Sequence, residues 1–191
     1  MKHLMPRALA ALCGVFVALA GVSALAAQGV TEPALKAAYL YNFVRFTDWP
    51  ADALEKGAPL DICVMDPQVA DALEPMVVDK SVGDHAVMVR RLTFDTASRV
   101  PGKGAGFRVC EMVYMGRLDL KSAQDVLTRV TDQPVLTVSD LAGFTRVGGI
   151  ARLFLEGANL RFEINVDATR RARLQMSALL LQRATIVKDE K

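Results

Sequence analysis

The sequence predicts an α/β protein: three layers, a mostly parallel sheet with helices on both faces, and a C-terminal antiparallel β-hairpin followed by a helix. Two observations carry this prediction. Strand-sized apolar runs alternate with segments of helical spacing from Leu60 to Val138, which is the rhythm of βαβ units. Two β-rich runs, Ile150 to Glu156 and Asn159 to Val166, are then separated only by Gly157-Ala158, as in a hairpin.

The N-terminus reads as an export signal. Lys2 and Arg7 precede a run of small and apolar residues from Ala8 to Val22, and Ala24-Leu25-Ala26 supplies the small residues of a cleavage site. Residues 1–26 are therefore expected to be a cleaved signal peptide, because the run is too short for a spanning helix. Residues 27–191 are expected to form one α/β domain in the periplasm. Removing Lys2 and Arg7 takes 23 basic residues to 21, which equals the 21 acidic ones. A formally neutral domain gives no support to nucleic-acid binding.

Each element has its own signal. Thr31-Glu32-Pro33 opens a first helix with a capping hydroxyl, an acid at the positive end of the dipole and a proline where its missing N–H costs nothing. Leu35, Tyr39, Phe43 and Phe46 recur at helical spacing, and Trp49-Pro50 ends the segment. Leu60 to Met65 reads as a buried strand stopped by Asp66-Pro67, followed by a helix from about Val69 to Val77. Val87 to Leu92, Val109 to Met115 and Pro134 to Val138 read as further strands, with a helix from Leu120 to Thr131 before the last of them. After the hairpin, a closing helix is expected from about Ala168 to Ala184, with Ala172, Met176, Leu179, Leu180 and Arg183 on one side.

The chemical inventory is thin. Residues 27–191 hold two cysteines, Cys63 and Cys110, and one histidine, His85, too few for a zinc site or a nucleophile and base pair. No catalytic residue, metal or cofactor is expected. The cysteines sit in apolar strand-like runs and either form one disulfide or remain buried thiols. Gly102-Lys103-Gly104-Ala105-Gly106 leads into a strand, not a helix, and lacks the lysine with serine or threonine of a phosphate-binding loop, so it reads as a flexible connection. His85 follows Gly83-Asp84 and reads as a solvated turn residue. Arg170-Arg171-Ala172-Arg173 makes a basic face, read first as a solvated, partly paired surface and second as a docking surface.

One grouping carries more information. Open α/β sheets bind ligands beyond the carboxyl ends of their strands, where Asp66, Arg117, Ser139 and Asp140 are expected to lie, with Arg146 within reach. These five are the candidate ligand- or partner-binding residues. The blander reading is that Ser139 or Asp140 begins a turn by bonding to local backbone.

Two blocks of sequence resemble a known family. Leu35-Lys36-Ala37-Ala38-Tyr39-Leu40-Tyr41-Asn42-Phe43, continuing to Phe46 and Trp49-Pro50, is similar to the opening signature of the YfiR family. Pro134 to Asp140, Gly143-Phe144, Gly148-Gly149-Ile150, Arg161 to Asn165 and Ala168 to Ala172 resemble its closing pattern in the same order. The resemblance implies a periplasmic regulator without catalysis of its own, one that represses an inner-membrane diguanylate cyclase of the YfiN type and so restrains cyclic di-GMP signalling and biofilm formation. It also implies a YfiB-type outer-membrane lipoprotein as antagonist, and cysteines under redox control at Cys63 and Cys110. A homodimer is plausible through the exposed edge of the hairpin. The alternative function is a periplasmic small-molecule sensor or carrier that uses the strand-end residues and feeds another membrane partner.

Overall fold

The computed structural model describes residues 29–95, 100–101 and 110–189. The expected signal peptide and the Gly102–Gly106 stretch lie outside these residues. The first helix, α1 (Glu32–Arg45), starts as its residues dictate: Thr31 Oγ1 accepts from the Ala34 N–H, with Glu32 and Pro33 in the first turn. Lys36, Leu40 and Phe43 fall on its buried stripe. It ends before Trp49 because Thr47–Asp48 (β1) turns away to pair with a distant strand.

The chain continues through β2 (Leu60–Val64), α2 (Pro67–Val77), β3 (Ser81–Val82), β4 (His85–Arg91), β5 (Phe94–Asp95), β6 (Val100–Pro101), β7 (Met112–Tyr114), α3 (Leu120–Val130) and β8 (Leu136–Ser139). Next come β9 (Ala151–Glu156), β10 (Asn159–Asn165), α4 (Val166–Arg171), β11 (Gln175–Met176), α5 (Ala178–Leu181) and β12 (Thr185–Val187). Eight strands form the main sheet in the order β12-β10-β9-β8-β7-β2-β4-β3. The run β4-β2-β7-β8-β9 is parallel, and β9 and β10 form the expected antiparallel hairpin. All five residues of β2 are buried, as a central parallel strand covered on both faces must be.

The two faces have separate cores. On one, Leu40 and Phe43 of α1 and Leu73 of α2 pack on Ile62, Tyr114, Leu136 and Ile164, joined by Ala168 and Leu180 from the C-terminal helices. On the other, Ala123, Val126 and Leu127 of α3 pack on Cys63, Val113, Met115 and Phe144. Alternation along β2 sends Ile62 to the first core and Cys63 to the second. Cys63 and Cys110 are joined by a disulfide with Cα atoms 5.8 Å apart, tying β2 to the approach to β7.

The C-terminal segment departs from the single helix expected over Ala168 to Ala184. Asn165 caps α4 by accepting from the Asp167 and Ala168 N–H groups, but the helix stops at Arg171. Arg173 adopts a left-handed backbone (φ +57), which breaks the helical path. Gln175–Met176 then pairs antiparallel with β1, and Ser177 caps α5 anew by accepting from the Leu180 N–H. The last strand, β12, lies parallel against Glu163, Ile164 and Asn165 of β10 and covers that part of the hairpin's outer edge.

Gly149 shows why the loop between β8 and β9 has its sequence. A methyl group on Gly149 would lie 2.2 Å from Phe144 Cε1, and Phe144 is fully buried. Gly149→Ala should therefore destabilise the fold by about 3 kcal/mol through overpacking, read as a lower urea midpoint at unchanged slope. The double variant Phe144→Leu/Gly149→Ala should lose less than the sum of the two single changes.

Candidate functional site

The parallel strands β2, β7 and β8 end on one edge, and there the chain places Asp66, the Gly116-Arg117 turn and Ser139-Asp140. Asp66 caps α2, its Oδ1 accepting from the Gln68 N–H at 2.9 Å. Gly116 is packed tightly beside it: a Cβ there would meet the Tyr114 ring at 2.7 Å and Asp66 Cβ at 3.1 Å. Ser139 has 0% exposure; its Oγ donates to the Met115 carbonyl at 2.9 Å and accepts from the Leu141 N–H at 3.2 Å. Both residues are thus consumed by local structure, the blander role weighed for Ser139.

Asp140 has long-range partners. Its Oδ2 accepts from Lys36 Nζ at 2.5 Å and from the Tyr114 hydroxyl at 3.2 Å. Lys36, on α1, is only 9% exposed and also pairs with Glu32 at 2.7 Å, one helical turn back. Burial works to lower the Lys36 pKa, but its hydrogen bonds and charge attraction to Asp140 and Glu32 outweigh this and raise it above the ordinary lysine value. Burial, reinforced by the charges of Asp140 and Asp66, likewise raises the Tyr114 phenol above the usual tyrosine range. At neutral pH Lys36 is a cation and Tyr114 a neutral donor. Neither is a base, and Ser139 gives its proton to a carbonyl. The arrangement clamps α1 to the strand ends and offers no activated nucleophile.

The structure thus joins Asp140 to Tyr114 and sets Asp66 near them, and it adds Lys36, Glu32 and Tyr114, which the sequence reading did not select. Arg117 and Arg146 are exposed and make no ion pair with a described residue. The signal for Lys36 was present: it stands four and seven residues before Leu40 and Phe43, on the stripe that must be buried. A lysine on that stripe requires an acid from elsewhere in the fold.

Other expectations resolve locally. His85 opens β4 and donates from Nδ1 to the Ala58 carbonyl at 2.8 Å, so it is a tethered strand residue and not a solvated turn. Each arginine of the basic face is paired: Arg170 with Asp167, Arg171 with Asp189, and Arg173 with Asp52 at 2.8 Å. No cluster of potential metal ligands occurs among the described residues.

The opening and closing sequence blocks meet repeatedly. Besides the Lys36–Asp140 pair, the Tyr39 hydroxyl donates to the Leu160 carbonyl at 2.8 Å, and Phe162 stands edge-on to Tyr39 and Phe43 at 5.7 and 5.2 Å between ring centroids. The β1–β11 pair and the Ser177 N–H bond to the Phe46 carbonyl complete the junction. The two motif blocks are two sides of one packed interface within the chain.

No helix among the described residues is long and apolar enough to cross a membrane. A solved structure titled as a conserved domain protein from Vibrio cholerae O1 biovar El Tor shares the fold, with a TM-score of 0.50 at 9% identity. The alignment covers 83% of this chain but 60% of that one, so this chain spans little more than half the length of that protein. The model of the YfiR/HmsC-like family, whose general role is periplasmic regulation of cyclic di-GMP signalling, matches residues 33–185. A match of that extent takes in both motif blocks and the parallel run β4-β2-β7-β8-β9, and the chain belongs to the YfiR/HmsC-like family.

Proposed function

We propose that this protein, exported by its N-terminal signal peptide, represses an inner-membrane diguanylate cyclase by binding the periplasmic portion of that enzyme. The observation that carries this reading is the family match over residues 33–185. The site chemistry is consistent with it. Asp66 and Ser139 are spent on capping and turn bonds, Asp140 on Lys36 and Tyr114, and the disulfide removes both thiols from reaction. What is left for function is surface, and repression by binding needs little energy: a preference of ~1.4 kcal/mol for the inactive cyclase shifts its population tenfold. A YfiB-type lipoprotein would relieve repression by competing for the same protein.

The test is direct binding. Purified residues 27–191 should bind the periplasmic portion of one diguanylate cyclase from the same genome in isothermal titration calorimetry. Failure to bind any of them would overturn the proposal. A second reading, a sensor for a small polar anion, is favoured by Arg117 and Arg146, whose guanidinium groups are exposed and without an ion pair among the described residues. Ligand-induced thermal shifts that survive Arg146→Ala and Asp140→Ala would remove that site.

A further inference from the structure

We infer that the groove between α1, β10 and α5 is the docking surface for an acidic segment of the regulated partner, one that presents an aromatic or leucine side chain beside carboxylates. The inference rests on the regulator reading above and names the surface that reading lacks.

The groove has a volume of about 350 Å³ and is lined by Tyr39, Phe43, Phe46 and Phe162, of which Tyr39 and Phe46 are only partly buried. Such a lining suits an inserted apolar side chain. Arg183 puts a cation at its rim, and no carboxylate among the described residues lines it; Arg161, also in the lining, sits on β10 at a position whose side chain alternates to the other sheet face. Arg161 has Glu156 as a partner, whereas Arg183 is exposed and makes no ion pair among the described residues. Asn42 adds a side-chain amide to the lining, a group that suits the backbone of an extended peptide.

Apolar surface continues beyond the mouth. Leu179, which lines the groove, is 56% exposed. Leu155 is 51% exposed and sits directly across from Leu160 of the groove wall, while Ile186 of β12, 45% exposed, is paired with Ile164 of β10. Strand alternation puts Leu155 and Ile186 on the same sheet face as the groove. Three of the six large exposed hydrophobic side chains among the described residues thus gather on this face, a concentration that marks an interaction surface.

Charge decides the occupant. A second copy joined about a two-fold axis through the groove would bring Arg183 towards its own equivalent, which disfavours it. An acidic segment satisfies Arg183 and fills the aromatic groove together. A concave aromatic slot also suits an inserted side chain better than a flat anionic membrane.

The experiment is selection of a random dodecapeptide phage library on purified residues 27–191. Enriched peptides should carry Phe, Trp or Leu within two residues of Asp or Glu. As labelled synthetic peptides they should lose at least tenfold in affinity by fluorescence anisotropy when the acids become lysine, and again on Arg183→Glu or Leu179→Asp. Both side chains are exposed, so these variants should keep the parent thermal midpoint, and Lys80→Glu, an exposed position beside β3 at the other end of the sheet, should bind like the parent. Enriched peptides without acids, or peptides indifferent to Arg183→Glu, would overturn the inference. So would a dimer dispersed by Leu179→Asp, which would make the occupant a second copy, or phosphatidylglycerol vesicles bound in an Arg183-dependent way. In cells the two readings separate. If deletion raises cyclic di-GMP and the Arg183→Glu/Leu179→Asp protein restores full repression, the groove is wrong and the repressor reading stands. If deletion has no effect the repressor reading fails, and the peptides alone judge the groove.

Discussion

Replacing both Cys63 and Cys110 with alanine is expected to cost about 4 kcal/mol of folding stability. The bridge spans 47 positions in sequence, and in the chain-entropy model a loop of that length removes about this much from the unfolded ensemble's advantage. Both residues are buried, Cys63 beneath α3, so the truncated sulfurs add a smaller packing loss. For a domain of this size the thermal midpoint should fall by about 10 °C. Dithiothreitol should produce a similar drop in the parent and none in the double variant. Thiol titration of denatured, unreduced residues 27–191 should find no free thiol. Two free thiols, or a midpoint insensitive to reductant, would contradict this account.

Asp140→Ala is expected to cost about 2 kcal/mol. It leaves Lys36, 9% exposed, with Glu32 as its remaining carboxylate, and takes the acceptor from the Tyr114 hydroxyl. Loss of one partner of a buried pair costs about 3–5 kcal/mol, and the partial exposure of Asp140 reduces that figure. A double-mutant cycle with Lys36→Met should recover part of the loss, because the uncompensated charge leaves with the lysine. The pH dependence has a definite sign. Lys36 has a raised pKa in the folded state, so its contribution is complete below the ordinary lysine value of about 10.4 and is lost as pH rises through the folded value. The parent should therefore lose stability more steeply in that alkaline range than Lys36→Met. Equal alkaline slopes would show that the clamp does not hold α1 in place.

Much of the sheet was legible because local chemistry and global position agree. Leu60 to Val64 is apolar enough for burial on both faces, Asp66-Pro67 stops it, and Gly157 supplies the positive φ of the hairpin turn. The C-terminal segment was not legible as built. Its apolar spacing fits a helix, and nothing local announces that Arg173 will adopt a left-handed backbone or that Gln175–Met176 will find β1 over a hundred residues earlier. Ser177 was the available warning, since a serine before Ala178 and Leu179 is a good start for a new helix.

The candidate site was legible in position more than in contact. The strand-end rule put Asp66, Ser139 and Asp140 on one edge, where they are. It does not say which of them turn inward: Ser139 faces the Met115 carbonyl and Asp140 faces a helix from the other end of the sequence. The aromatic groove was hidden for a related reason. Tyr39, Phe46, Phe162 and Leu179 come from three separate segments, and helical spacing or strand alternation marks them as core without showing that the core opens there.

The central claim, repression of a diguanylate cyclase, is tested most directly by cellular cyclic di-GMP in a strain lacking the gene, in its parent and in a strain expressing the gene in excess. The account predicts a rise on deletion and a fall below the parent on overexpression. No change in either direction would contradict it and leave the strand-end arginines as the place to look for a small-molecule ligand.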